Sequence, residues 1–325
     1  MLMIRNRTSL FLGMVLACAT LRARAQDSPK SLAEKLGYAR DAKLIIVHAD
    51  DVGVTHSVNA ATIKALETGL VNSASIMMPC PWSPEIADYA KAHPDADLGL
   101  HLTLTSERVY YRWGPVASKS SVPSLVDEHG YFFHDWKAET QPNNHAEVRI
   151  EPQDAEKELR AQIDRAYAMG IRPTHLDSHQ YRLIVTGKDL FAVFLRLGHS
   201  YKLPIFVNRD WFADHPYLEA SLGKDDVVLD HTVTMAATVA PEKSADFYKT
   251  ALRNLQPGVT EFVIHVAFAD DELKAATRER DTWGAAWRQR DYDFFTGSEF
   301  RALLREQNIK LVTGREVARA SGYSQ

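Results

Sequence analysis

Short runs of aliphatic and β-branched residues alternate with amphipathic segments along the chain from residue 43 onward. This alternation is typical of parallel strands joined by crossover helices, so the pattern predicts an α/β fold. The predicted strands cover residues 44–48, 72–78, 98–104, 173–178, 204–207, 227–231, 261–266 and 309–313. Eight strands favour a (β/α) barrel, and weak members such as 227–231 indicate that the barrel is distorted.

Helical periodicity is clearest from Ser57 to Thr68 and from Pro152 to Met169, and a glycine follows each segment. The periodicity is lost between Thr105 and Ile150, a stretch rich in aromatic residues, and again from Phe268 to Asp293. Connections of this length in compact domains are usually functional. The sequence therefore predicts a distorted (β/α) barrel with parallel strands and long loop insertions.

The first 25 residues have the pattern of a secretory signal peptide. Arg5 and Arg7 precede an apolar run over residues 10–19, and Ala23 to Ala25 form a small-x-small cleavage site. We expect Gln26 to be the first residue of the mature chain.

This interpretation divides the chain into a signal peptide (1–25), a polar leader (26–42) and a single barrel-like domain (43–325). The expected location is outside the cytoplasm, periplasmic or extracellular, without membrane attachment after cleavage. The apolar run is short for a membrane helix, so an uncleaved anchor is a minor alternative. Lipidation at Cys18 is the other alternative, although the residues before it match a lipoprotein box poorly.

Composition and charge narrow the function classes. The 325 residues are 45% hydrophobic and 25% charged, which is ordinary for a globular protein. The formal net charge is −4 and no run of Lys or Arg occurs, so no nucleic-acid partner is expected. The only cysteines are Cys18 and Cys80, and cleavage would remove the first, so the mature chain could form no internal disulfide. Cys80 is expected to be structural.

The stretch LIIVHADDVG, from Leu44 to Gly53, runs from a buried strand directly into two carboxylates. Groups at the carboxyl ends of parallel strands face ligands, so Asp50 and Asp51 are candidates for chemistry; a solvated turn is the alternative. Adjacent side chains on a strand point to opposite faces. The two aspartates can therefore share a site only if the backbone turns after Val47 or His48, with His48 beneath them as a packing or supporting residue.

Histidines lie at three other predicted strand ends. His101 lies in GLHLTLT, His175 and His179 lie in THLDSH, and His265 follows the strand near residue 264. One histidine alone would more often be a core residue, but the carboxyl ends of parallel strands converge on one face. Asp51, His101 and His179 would then offer a carboxylate and two imidazoles, which can bind a divalent metal and leave positions open.

These motifs carry a resemblance to a known family. ADDVG, then VNAATIKALETGLVNSASIMMP, GLHLTLT and RPTHLDSHQ, in this order, resemble the YdjC-like carbohydrate deacetylase family, which includes the chitooligosaccharide deacetylases. The resemblance covers Leu44 to Tyr181, with a weaker echo from Glu261 to His265. The combination at these separations is specific, whereas each motif alone is not.

The resemblance implies roles for individual residues. Asp51, His101 and His179 would bind one divalent metal, magnesium or zinc; Asp50 would be the general base, and His265 the general acid. The chain departs from the family pattern after both late motifs, where Gln180-Tyr181-Arg182 follows DSH and Val266-Ala267 follows the late histidine. The first departure concerns substrate contacts and the second concerns the role of His265.

Beside the ligand His179, we expect His175 and Asp177 to fix the orientation of an imidazole. The candidate substrate contacts are Tyr111, Arg112, Trp113 and Tyr181. Aromatic residues of the first insertion would suit stacking on sugar rings, or they simply pack the insertion.

The implied reaction is metal-dependent removal of N-acetyl groups from amino-sugar oligosaccharides. The alternatives are an O-acetyl sugar esterase, or another metal hydrolase, and a carbohydrate-binding protein without activity. The presence of Asp50 argues against the last of these, because a binding protein needs no base. A homodimer is compatible with the sequence, which does not define the oligomeric state.

Overall fold

The computed structural model describes residues 30–134 and 148–324. The predicted signal peptide and the first residues of the predicted leader lie outside this range. Among the described residues, no helix combines the length and apolar character needed to cross a bilayer.

A parallel sheet forms the centre of the fold. The strands are β1 (Lys43–Val52), β2 (Ser73–Ile76), β3 (Leu98–Leu102), β4 (Leu176–Ser178), β5 (His231–Thr234), β6 (Gly258–Ile264) and β7 (Lys310–Leu311). They pair in the order β4-β3-β2-β1-β6-β5, and β7 pairs with β1 off this path. Every ladder of this sheet is parallel.

Isolated β-bridges continue the sheet between β4 and β5. Ile205 pairs with Leu176 of β4, and Asn208 pairs with Leu229, from which the chain leads into β5. The strands therefore curve into a distorted (β/α) barrel, as the sequence predicts. The predictions of regular strands over 204–207 and 227–231 are wrong. The backbone there is extended, but the bridges join single residues, and regular pairing begins only at His231.

Helices surround the sheet. They are α1 (Leu32–Lys35), α2 (His56–Glu67), α3 (Ser83–Ala92), α4 (Pro152–Ala168), α5 (Arg182–Val185), α6 (Lys188–Tyr201), α7 (Tyr217–Ser221), α8 (Ser244–Arg253), α9 (Asp271–Ala276), α10 (Ala285–Thr296), α11 (Ser298–Glu306) and α12 (Gly314–Ala320). Both helices predicted from periodicity are confirmed to within one residue at each end, as α2 and α4. The Thr55 side chain accepts a hydrogen bond from the Val58 N–H and caps α2, and Pro152 occupies the first turn of α4.

The alternation of side chains along β1 explains how the core leads to a polar site. Ile45, Val47 and Ala49 belong to the larger apolar cluster beneath the helices. Leu44 and Ile46 point to the opposite face and form a smaller apolar cluster inside the barrel. The same alternation places the next two inward positions, residues 48 and 50, above this apolar layer. The interior of the barrel therefore changes from apolar to polar toward the carboxyl ends of its strands.

Candidate functional site

A bulge in β1 brings two adjacent carboxylates to one side of the sheet. Ala49 pairs with Ala74 and Val52 pairs with Ile76, so β1 has one extra residue over this interval. Asp51 has a φ of +66°, which turns its side chain back toward Asp50. The prediction that the backbone turns after Val47 or His48 is wrong by one or two positions. β1 stays in register with β6 as far as Ala49, so the turn follows that residue.

Gly53 completes this turn. Its N–H donates to Asn59 Oδ1 over 2.7 Å, and its φ is +96°. A Cβ at this position would lie 3.3 Å from the Met77 carbonyl oxygen, so a side chain would be both strained and crowded. The glycine of the ADDVG motif therefore fixes the position of Asp51.

Backbone strain concentrates at the same place. Six non-glycine residues of the described chain have φ between +52° and +66°, and four of them line one cavity. These four residues are Asp51, Gln180, Tyr181 and Trp283. Left-handed backbone costs an L-residue on the order of 1–2 kcal/mol, and such strain is concentrated at functional sites. The conformations of these residues mark the cavity as a candidate active site.

Three buried donor atoms meet at the wall of this cavity. Asp51 Oδ1 lies 3.6 Å from His101 Nε2 and 3.4 Å from His179 Nδ1, and the two nitrogens are 3.2 Å apart. Ligand atoms about 2.1 Å from one tetrahedral zinc ion lie about 3.4 Å from each other. Asp51 Oδ1 has no hydrogen-bond partner among the described residues, although it is buried. The donor set and its spacing fit a divalent metal ion.

Arg288 of α10 holds the other oxygen of Asp51. Its Nη2 lies 2.5 Å from Asp51 Oδ2, and its Nε donates to the Trp283 carbonyl over 2.8 Å. Burial opposes ionisation of Asp51, but Arg288, His179 and His265 together outweigh burial and hold the pKa of this carboxyl well below its usual range. Asp51 is thus ionised, with one oxygen fixed and the other directed at the imidazoles.

Asp177 orients the first imidazole. It pairs in register with His101 across β3 and β4, and its Oδ1 lies 2.9 Å from His101 Nδ1. Burial of Asp177 is opposed by His101 and His48, which hold the pKa of the carboxyl below its usual range. With a carboxylate at Nδ1, His101 presents Nε2 to the donor triangle.

Glu107 orients the second imidazole from a loop. Its Oε2 lies 3.0 Å from His179 Nε2, which leaves His179 Nδ1 facing Asp51. Burial disfavours charge on both groups, but their mutual attraction prevails. It lowers the pKa of Glu107 to about 2 and, with Asp51, raises the pKa of His179 to about 10. The negative potential around His179 would equally favour a cation bound in place of the proton.

Asp50 lies beside the triangle and is held from below. Its Oδ1 lies 3.1 Å from His48 Nε2, while its Oδ2 lies 3.7 Å from His101 Nε2. His48 Nε2 also contacts Asp177 Oδ2 over 2.9 Å, and His48 Nδ1 contacts Ser73 Oγ over 3.0 Å. Burial alone would favour a neutral ring, but Asp177 and Asp50 raise the pKa of His48 well above its ordinary value. The buried His48 therefore links Asp50 to the carboxylate that orients His101.

The prediction that His175 orients an imidazole of the triangle is wrong. Its ring stacks on Phe206 with centroids 4.2 Å apart and meets His48 edge-on at 5.1 Å; its Nδ1 pairs with Thr174 Oγ1. A Cβ at Gly99 would lie 2.3 Å from His175 Nε2, so the glycine of GLHL makes room for the ring. His175 fills the layer below the site, and it is Asp177 that contacts an imidazole of the triangle.

His265 lines the same cavity from the end of β6. Its backbone N–H donates to Asp291 Oδ2 over 3.1 Å. Burial lowers the pKa of His265 to about 4, although Asp51 and Asp50 oppose that effect. The imidazole is therefore neutral at pH 7 and can donate only a proton that it has first received.

The candidate substrate contacts separate into two groups. Tyr181 lines the cavity, and its hydroxyl pairs with Thr234 Oγ1 over 2.9 Å. Tyr111, Arg112 and Trp113 do not belong to the cavity wall. Arg112 is paired with Asp127 at 2.7 Å, and the other two bond backbone carbonyls. These three residues stabilise the loop after β3. The prediction that they contact the substrate is therefore wrong.

Sequence reasoning missed four charged residues of the cavity wall, namely Glu107, Arg108, Arg280 and Arg288. The first two directly follow GLHLTLTS, so their adjacency to a motif histidine was an available signal. Arg288 lies on a helix more than 200 residues from Asp51, and no local pattern pointed to it. The complete cavity has a volume of about 340 Å³, within the range of small-molecule sites.

Comparisons with known proteins identify relatives of this chain. The model of the YdjC-like protein family matches residues 44–306. A carbohydrate deacetylase of Thermoanaerobacter pseudethanolicus is 26% identical over 273 residues, 83% of this chain and 97% of that protein. A carbohydrate deacetylase of Thermus thermophilus is 30% identical over 291 residues, 85% of this chain and 94% of that protein. A solved structure from Enterococcus faecalis, described in terms of cellobiose-phosphate cleavage, is 27% identical, with a TM-score of 0.69 and coverage of 85% of this chain and 99% of that chain.

Proposed function

Because the chain belongs to the YdjC-like family, we propose that it is a metal-dependent deacetylase that removes N-acetyl groups from amino-sugar oligosaccharides. The observation that carries the proposal is the buried triangle of Asp51, His101 and His179, with one carboxylate oxygen unpartnered and Asp50 alongside. The carbohydrate deacetylases among its relatives support the substrate class.

The triangle would hold one divalent metal ion. Two imidazoles and a carboxylate suit zinc, cobalt, manganese or iron, and the family resemblance adds magnesium. When bound, such an ion would polarise the acetamide carbonyl and lower the pKa of a water molecule. The protein contributes the orientation of its ligands, through Arg288, Asp177 and Glu107.

Asp50 is the proposed base. His48 holds its Oδ1, so its Oδ2 can accept a proton from the attacking water. One proton must also reach the departing amine, and His265 is the proposed donor. Since its imidazole is neutral at rest, His265 would first take up the proton that the water loses to Asp50 and would then give it to the amine nitrogen as the C–N bond breaks.

The predicted signal peptide leads us to propose that the enzyme acts outside the cytoplasm. Its substrate would then be an oligosaccharide or glycan fragment available there. The aromatic rings of Tyr181 and Trp283 line the cavity and would contact the sugar.

The test is acetate release from N-acetylated chitooligosaccharides by the mature protein, beginning at Gln26, with each candidate divalent metal. We expect Asp50→Asn to lower kcat by about 10²- to 10⁴-fold while bound metal is retained, because it removes a base and no ligand. Asp88→Asn, an exposed change on α3, is the matched control. O-acetylated sugars in parallel separate amide from ester hydrolysis. Failure to release acetate from every N-acetyl sugar tested would refute the proposed substrate.

A further inference from the structure

One buried cation in the cavity has no role in the proposed reaction. The Arg108 side chain is 3% exposed, and its Nη1 has no hydrogen-bond partner within the described chain. Its only ion pair in that part of the chain is a loose one, 3.7 Å from Nε to Glu107 Oε1. The other Glu107 oxygen is committed to His179. A buried guanidinium with unsatisfied donors is costly, so an additional partner is expected.

The surroundings of Arg108 increase this cost. Arg280 and Arg288 both line the cavity and repel the Arg108 charge. Burial and this repulsion lower the pKa of Arg108, with Glu107 opposing them. Arg288 is paired with Asp51, whereas Arg280 makes no ion pair with any described carboxylate. Arg108 thus has one loose ion pair and Arg280 has none within the described chain, which leaves both guanidinium groups able to bind an anionic partner beside the donor triangle.

The loop that carries Arg108 is fixed. The Trp113 indole donates to the Thr105 carbonyl over 2.8 Å, and the Trp113 N–H donates to Ser106 Oγ over 3.0 Å. The Ser106 N–H donates to the Phe133 carbonyl over 3.1 Å. These bonds hold the backbone on both sides of Arg108. Hydrogen bonds therefore fix the backbone that places the Arg108 side chain in the cavity wall.

We propose that Arg108 and Arg280 form a subsite for a carboxylate group on the acetylated sugar. The inference rests on the proposed deacetylase function and names its substrate class, an N-acetyl amino sugar that bears an acidic substituent. A planar carboxylate can accept two parallel hydrogen bonds from a guanidinium. A carboxylate also adds only one negative charge to a cavity that already holds Asp50, Asp51 and Glu107, whereas a phosphate dianion would add two.

The test compares sugars that differ in charge. N-acetylglucosamine is neutral, N-acetylmuramic acid adds a carboxylate, and N-acetylglucosamine 6-phosphate adds a phosphate. Dissociation constants are measured by ligand-observed NMR on metal-free and metal-loaded protein at two salt concentrations. We expect the wild type to bind the carboxylate sugar about tenfold more tightly than the neutral one, with the preference weakening in high salt.

Arg108→Gln and Arg280→Gln should each reduce this preference and leave the affinity for the neutral sugar unchanged. Arg278→Gln is the matched control, because Arg278 stacks on the exposed Tyr110 ring at 3.8 Å and does not line the cavity. Equal affinity of the wild type for neutral and carboxylate sugars would overturn the subsite. So would a preference that survives Arg108→Gln, or tighter binding of the phosphate sugar.

The two proposals fail separately. Acetate release without a charge preference would contradict the subsite and leave the deacetylase function standing. A charge preference lost in Arg108→Gln, without acetate release from any sugar, would support the subsite and contradict the function.

Discussion

The two imidazoles of the donor triangle are held by carboxylates in different parts of the fold. His101 lies on β3, and Asp177 faces it from the neighbouring strand in direct register. His179 follows β4, and its carboxylate, Glu107, comes from the loop after β3. The first pair is positioned by backbone pairing and the second by packing of an irregular loop. Strand order alone therefore specifies the first pair, whereas the second pair also requires tertiary contacts of the loop.

The largest expected effect comes from removing both imidazoles. We expect His101→Ala combined with His179→Ala to abolish stoichiometric metal binding and acetate release, because a single carboxylate remains in the triangle. Metal content after dialysis, measured by mass spectrometry, is the readout. Replacement of the exposed His93 and His129 by alanine serves as the control. Metal retained at the wild-type level would contradict the ligand assignment.

Loss of the strand-built support should be the next largest effect. Asp177→Asn removes the charge that orients His101 and one of the two carboxylates around His48. We expect metal affinity to fall toward the upper end of the 10- to 100-fold range typical of such supports. Titration with a competing chromophoric chelator measures the affinity. Unchanged affinity would mean that strand pairing alone holds the imidazole.

The strand-built half of the site could be predicted from the sequence. Parallel strands converge at their carboxyl ends, so the sequence alone predicts that Asp51, His101 and His179 lie close together. Asp177 was visible because it lies two residues before His179. The position of the turn could not be predicted, since it depends on how long β1 stays paired with β6. The alternation of strands and helices predicts the barrel class. No local sequence pattern predicts the isolated bridges between β4 and β5.

The loop-built half of the site could not be predicted from the sequence in the same way. Glu107 reaches His179 only because the loop folds back over the end of β4. Arg288 reaches Asp51 from α10, far along the chain. Charge and composition mark such residues as polar without indicating a partner. Their assignment requires the tertiary structure.

A smaller effect is expected from the loop-built support. In Glu107→Gln the side-chain oxygen can still accept a hydrogen bond from His179 Nε2, so the change removes charge and keeps geometry. We expect metal affinity to fall by about tenfold, near the lower end of the range for such supports. The same chelator titration applies, with Glu107→Ala to remove both charge and hydrogen bond. If Glu107→Gln weakened the affinity more than Asp177→Asn, the loop and not the strand pair would be the dominant support.

Helix α4 holds both ends of this loop. Gln162 bonds the Thr103 N–H over 3.2 Å and the Thr103 carbonyl over 2.7 Å. One turn earlier, Glu158 accepts hydrogen bonds from the Val116 and Ala117 N–H groups, over 2.9 and 2.8 Å. The loop that carries Glu107 and Arg108 is therefore clamped at each end by neighbouring polar residues of one helix. This clamp supplies the rigidity that a strand would otherwise provide.

The smallest effect on the metal site should come from Glu158, which touches neither imidazole. Burial raises the pKa of Glu158 to about 6 from 4.5, although the two backbone N–H groups oppose that effect. The folded state thus binds this proton more tightly than the unfolded state. Its stabilising contribution is present below about pH 4.5 and is lost as the pH rises through about 6. The loss is on the order of 2 kcal/mol.

Urea unfolding of the wild type and Glu158→Gln between pH 4 and 7 isolates this contribution. The free energy of unfolding of the wild type should fall relative to that of the variant as the pH rises, because glutamine has no proton to lose. Glu151→Gln, which removes an exposed carboxyl just before α4, should follow the wild type. Parallel pH dependences for wild type and Glu158→Gln would mean that Glu158 titrates alike in both states. The loop would then be held by packing, as the strand-built half is held by pairing, and not by a buried carboxyl.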